Sequence, residues 1–133
     1  MKRFLALTDG RRESPGETRL AHVVHLMGLP ATPQAKITAP GGFTAYVDLL
    51  LHGEDVVLEF DGQVKYSRSA DQPDPFGHRR SPQQVLWAEK QREDRLRELG
   101  YEVVRVTWAD LEDPVALARR IRGAIERSRR RRA

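Results

Sequence analysis

The chain has 133 residues, 39% hydrophobic and 32% charged, which suits one domain around one core with a heavily solvated surface. It holds no cysteine, which excludes disulfides and thiolate metal sites, and no run nears the roughly 20 apolar residues of a membrane span. The net charge of +4 is concentrated at the ends, in Arg11 and Arg12 and in Arg127 and Arg129 to Arg132, which either bind phosphates or stay solvated as a frayed tail.

Residues 1–13 show little periodicity and read as an N-terminal arm. The apolar piece within Met1 to Leu7 is too short for a secretory leader, so a cytoplasmic protein is the simplest expectation. Ser14-Pro15-Gly16-Glu17 reads as a helix start, with Ser14 as N-cap and Glu17 closing a capping box. Leu20, Val23, Val24 and Met27 continue the helix, and Gly28 and Pro30 end it. A short strand is expected over 34–38, then a turn at Ala39 to Gly42, then strands over 43–51 and 55–61. The polar segment 66–82 holds three prolines and is too long for a plain connector. Ser81-Pro82 opens a second helix to about Leu99, with Gly100 at its end. A valine-rich strand follows over 102–107. Asp113-Pro114 caps a last helix carrying Val115, Leu117, Ala118, Ile121 and Ile125. The domain is therefore expected over 14–127, followed by a basic tail, 128–133.

The strands on either side of His52-Gly53-Glu54-Asp55 carry the chemistry. Gly53 at the first central position suits a two-residue type II′ turn, which fixes a register in which paired residue numbers sum to 107. Leu51, Leu49 and Val47 then oppose Val56, Leu58 and Phe60 on an apolar face. The other face pairs Leu50 with Val57, Asp48 with Glu59 and Tyr46 with Asp61. A slip of one residue would mix the two faces, so the pattern supports the register. Opposed side chains have Cβ atoms roughly 4.5–5.5 Å apart, and like charges there are destabilising unless something offsets them. A hard divalent cation, Mg²⁺ or Mn²⁺, is one compensator, since it takes one or two carboxylates plus water. An exposed sheet face where acids meet only water is the plain alternative.

The second helix adds further candidates. On a helical wheel Val85, Ala88, Leu96 and Leu99 form the inward stripe, and Glu89 and Arg92 fall within it. Lys90 falls off the stripe and can pair with Asp94 one turn on. Geometry thus favours Arg92 over Lys90 as a site cation. Trp108 reads as packing. His22, His25 and His78 show no ligand spacing, and His52 belongs to the hairpin.

Several strings taken together resemble the PD-(D/E)XK nuclease superfamily. They are Ser14 to Leu20, Val47-Asp48-Leu49, Leu58-Glu59-Phe60-Asp61-Gly62-Gln63-Val64-Lys65-Tyr66, Leu86 to Asp94 and Gly100 to Trp108. The nearer likeness is to the branch similar to very-short-patch-repair endonucleases, and within it to the C-terminal domain of AbiEi-type proteins. The resemblance covers about residues 14–125. It implies an α/β fold with a restriction-endonuclease-like αβββαβα core, a mixed four-stranded sheet flanked by helices. It implies Asp48, Glu59 and the backbone carbonyl of Phe60 as ligands of Mg²⁺ or Mn²⁺, with Glu17 reaching the ion through water. Val47 replaces the motif proline, and Asp61 stands where the motif lysine belongs. The missing cation would come from Lys65, Lys90 or Arg92, while Asp61 would ligate or orient water.

The activity implied is metal-dependent phosphodiester hydrolysis on nucleic acid, with DNA the expected substrate. The basic ends and the segment Arg68 to Arg80 would hold the backbone. Two rivals stand beside it. One is a non-catalytic nucleic-acid-binding or antitoxin-type module of the same fold, favoured by the displaced lysine. The other is a plain protein-interaction domain. Neither a membrane partner nor a fixed oligomeric state follows from the sequence, and a homodimer is compatible with it.

Overall fold

Two helices begin on the same device. In the computed structural model, which describes residues 14–62 and 81–133, α1 (Pro15–Leu26) starts at Ser14 and α2 (Pro82–Glu98) at Ser81. In each, the serine hydroxyl accepts the N–H of the third helical residue, and the Glu17 or Gln84 side chain accepts the serine N–H. Proline at the first helical position lacks only an N–H that would have had no helical partner. Asp113 caps the last helix, α4 (Pro114–Arg132), through the N–H of Ala116. A one-turn helix, α3 (Trp108–Leu111), was not expected; Thr107 and Asp110 form its capping box.

Four strands, β1 (Ala31–Ala39), β2 (Phe43–Leu51), β3 (Val56–Phe60) and β4 (Glu102–Val106), form one mixed sheet in that spatial order. The first three run antiparallel, and β3 pairs parallel with β4. The parallel pair needs a crossover, and α2 lies within it. Strand β1 is longer than expected at its N-terminal end, because Pro33 lies on an edge strand, where a missing N–H is tolerated.

The hairpin register is the expected one where β2 and β3 pair, at Leu49 with Leu58 and Leu50 with Val57. Gly53 has φ 76°, the positive value its turn position requires. The ladder does not extend to Asp48 and Glu59, to Val47 and Phe60 or to Tyr46 and Asp61. The Phe60 N–H donates instead to the Asp48 carboxylate at 2.8 Å, and the Asp61 N–H donates to the Val106 carbonyl of β4 at 2.7 Å. Both donors are thereby taken, and β2 and β3 part.

Helices cover both faces of the sheet. On one, Leu20 and Val24 of α1 and Leu117, Ile121, Ala124 and Ile125 of α4 pack on Leu49, Leu51, Val56, Leu58, Phe60, Val104 and Val106. On the other, Leu96 of α2 packs with Val57, Val103, Ala35, Ile37 and Ala45. Val47 is buried in this second cluster, not with Leu49 and Phe60 as the alternation implied. Between Val47 and Leu49 the β1–β2 pairing skips Gln34 opposite Asp48, and Gln34 has φ 49°, so the ladder is irregular there and strict alternation does not carry across it. Each large side chain fully buried here contributes roughly 1.5–3 kcal/mol.

The closing arginines do not form a loose tail. Helix α4 runs on through Arg132, and its last turns lie against two glutamates. Arg127 and Arg131 bind Glu102, while Arg129 and Arg132 bind Glu54. Ser128, fully buried, accepts the N–H of Asp55. An opposite charge within reach across the fold keeps this end of the helix ordered. The arm 1–13, Lys65, His78 and the basic segment Arg68 to Arg80 lie outside the described residues.

Candidate functional site

Where β2 and β3 part, two carboxylates enter the gap. Asp48 accepts the N–H of Phe60, and Glu59 accepts the N–H of Asp48 at 3.4 Å through Oε2. Each acid thus bonds to the backbone of the opposite strand, which holds both at one fork. Glu59 is buried, unusual for a glutamate without a partner.

Its partner is Arg92. The guanidinium Nη1 binds Glu59 Oε1, and Nη2 lies 3.3 Å from Oε2, a two-pronged grip. Nη2 also donates to the Tyr46 carbonyl, so one side chain ties α2 to both β2 and β3. Burial works against its charged form. The hydrogen bond and charge of Glu59, with the charges of Glu89 and Asp48 behind them, outweigh burial and hold the Arg92 pKa above its ordinary value.

Arg105 is a second cation that the sequence reading assigned no role. It sits on β4 in register with Glu59, on the face that carries Val103. Its Nε donates to Glu93 at 2.7 Å, its Nη2 lies 3.2 Å from Glu89, and its Nη1 lies 3.8 Å from Asp61. Alternation in Val103-Val104-Arg105-Val106 marks its face. Only the parallel register, set by how the crossover returns, puts it beside Glu59. Burial would raise the Glu93 carboxyl, but hydrogen bonds from Arg105 and Arg97 outweigh it and lower its pKa.

Asp48, Glu59, Asp61, Glu89 and Glu93 thus meet Arg92, Arg97 and Arg105. Five carboxylates and three guanidinium groups are thereby brought together among the described residues. Asp61 Oδ1 is buried and has no hydrogen-bond partner among them.

The remaining candidates separate. Glu17 is buried and is used by its capping box. It stands one residue from Gly16, where a Cβ would fall 2.2 Å from the Phe60 ring; glycine is what lets α1 approach this strand. Lys90 is exposed at 76% and lies 3.8 Å from Asp94, away from the fork. Trp108 packs edge-on against Phe60 with ring centroids 5.0 Å apart, and Arg19 lies over its ring. The closing arginines sit by Glu54 and Glu102, at the opposite end of β3 from Glu59 to Asp61. Five strand residues, roughly 17 Å, separate those ends.

The chain matches no protein-family model, no curated protein and no solved structure. Among the described residues no three His, Cys, Asp or Glu side chains form a group that could hold a metal ion by themselves, and no helix is long and apolar enough to cross a membrane. A site with two side-chain carboxylates would need backbone oxygen and water to complete it.

Proposed function

We propose that the fork between β2 and β3 is the centre of a metal-dependent nuclease domain with a restriction-endonuclease-like core, acting on nucleic acid, with DNA the expected substrate. The observation that carries this is that Asp48 and Glu59 meet at a break in the ladder, with one buried oxygen of Asp61 unpartnered among the described residues. The donor set fits Mg²⁺ or Mn²⁺, which take hard oxygen ligands and keep several waters. Asp48, Glu59 and the Phe60 carbonyl would hold the ion. Once bound, it supplies an acidified water and neutralises charge on the phosphate. Arg92, always protonated, offsets the negative charge that develops on the phosphate oxygens. Asp61 accepts a hydrogen bond from water through its uncommitted oxygen and orients it. Lys90, turned to solvent, has no part in this chemistry. With the closing arginines engaged at the far end of β3, they do not grip the substrate at the fork.

One observation favours the non-catalytic, nucleic-acid-binding reading. Both Nη atoms of Arg92 already occupy Glu59, the carboxylate that an ion would need. Plasmid cleavage with Mg²⁺ or Mn²⁺ decides between them. Wild type is expected to nick the plasmid and Glu59→Ala to be silent. Equal cleavage by both defeats the nuclease reading, and DNA binding with no cleavage by either supports the binding module.

A further inference from the structure

We propose that Arg92 is the resident counter-cation of the fork: it grips Glu59 when no divalent ion is bound and moves to Glu89 when one binds. The inference rests on the metal reading above and adds a control to it. Both oxygens of Glu59 are engaged, Oε1 by Nη1 and Oε2 by Nη2 and the Asp48 N–H. A divalent ion that takes Glu59 therefore competes with the guanidinium for it. Arginine does not deprotonate in a protein, so it leaves by moving rather than by losing its charge.

A second partner stands ready. Glu89, one turn earlier on α2, has Oε2 3.9 Å from Arg92 Nη1. Arg105 holds that same oxygen at 3.2 Å from β4, so the new position is preformed and does not depend on where Arg92 lies. Side-chain rotation alone carries Arg92 between them. In leaving Glu59 it also releases the Tyr46 carbonyl, and with it one of the ties between α2 and β2. Ion binding and the attachment of α2 to the hairpin are therefore linked, since each cation favours a different position of the same side chain.

The test is calorimetric titration of Mn²⁺ into the full chain in metal-free buffer, for wild type, Arg92→Gln, Glu89→Gln and the double variant. Arg92→Gln is expected to bind Mn²⁺ about tenfold tighter or more than wild type. Its gain is expected to be larger in the Glu89→Gln background, where the guanidinium has lost its second position. Arg97→Gln, which removes a nearby cation that does not touch Glu59, is expected to change the affinity little. In chelator Arg92→Gln is expected to melt lower than wild type, because α2 has lost its tie. Equal or weaker Mn²⁺ binding by Arg92→Gln overturns the proposal while leaving the metal reading intact. An equal gain in both backgrounds overturns the movement to Glu89. No binding by wild type or by Arg92→Gln overturns the proposal and the metal reading together. Should Arg92→Gln not fold, Arg92→Lys serves: an ammonium lacks the planar fork that matches both oxygens and holds Glu59 less firmly, so tighter binding is expected and unchanged binding overturns the proposal.

Discussion

The two ends of β3 use the same ion-pair chemistry in different surroundings. Past Phe60, Arg92 and Arg105 lie between sheet and helix with 22% and 27% of their side chains exposed. Before Val56, Arg127, Arg129, Arg131 and Arg132 lie on the surface with 43–64% exposed. There each glutamate is held by two arginines, so one remains when the other is lost, and water and salt reach the exposed guanidinium groups, so a single pair contributes little. In the half-buried layer a lost partner strands a charge that water reaches poorly, and the cost is larger. The arginine-rich end of α4 therefore secures a boundary, whereas the layer under α2 is where the fold concentrates charge it cannot easily give up.

The sharpest way to break that contrast is at Gly16. Alanine there puts a methyl 2.2 Å from the ring of Phe60, whose N–H holds Asp48. The ring or α1 must shift, and chemical denaturation is expected to show a loss of about 3 kcal/mol. A neutral result would mean that α1 does not press on the fork. Arg105→Ala comes next. It leaves Glu89, Glu93 and Asp61 short of a partner, and about 2 kcal/mol is expected to disappear in the same measurement.

Acid titration sharpens the comparison with a smaller effect. The folded-state pKa of Glu93 is lowered below its ordinary 4.5, because its arginine bonds outweigh burial. Its contribution is then complete above the unfolded value and lost as pH falls through the folded one. Melting temperature is expected to hold from neutral pH towards that value and to fall below it, less steeply in Glu93→Gln. Equal slopes would remove Glu93 from the account. The smallest effect belongs to Arg129→Ala. The exposed Arg129 lowers the Glu54 pKa by its hydrogen bond, yet its removal is expected to move the melting temperature barely at low salt and not at all at roughly 0.5 M. A large, salt-independent drop would place the far end on the same footing as the fork.

Local chemistry made much of this protein legible in its sequence. Ser14, Ser81 and Asp113 announced helix starts because an N-cap acts within three residues. Gly53 set the hairpin register because a tight turn leaves one backbone solution. Helical periodicity in α2 showed Arg92 facing the sheet and Lys90 leaving it, although Ala88, expected on the inward stripe, is exposed and Leu96 is its one fully buried member. What lies beyond such ranges needed the tertiary structure. Two backbone donors, Phe60 and Asp61, found partners other than the β2 backbone, the Asp48 carboxylate and the Val106 carbonyl of β4, and this ended the ladder at Leu49 and Leu58. The return of the crossover set the parallel register that puts Arg105 beside Glu59. Glu54 and Glu102, distant in sequence, turned a basic tail into the ordered end of a helix. Periodicity and capping depend on neighbours along the chain. The compensation of charge depends on neighbours in space, and only the packed sheet and helices determine those.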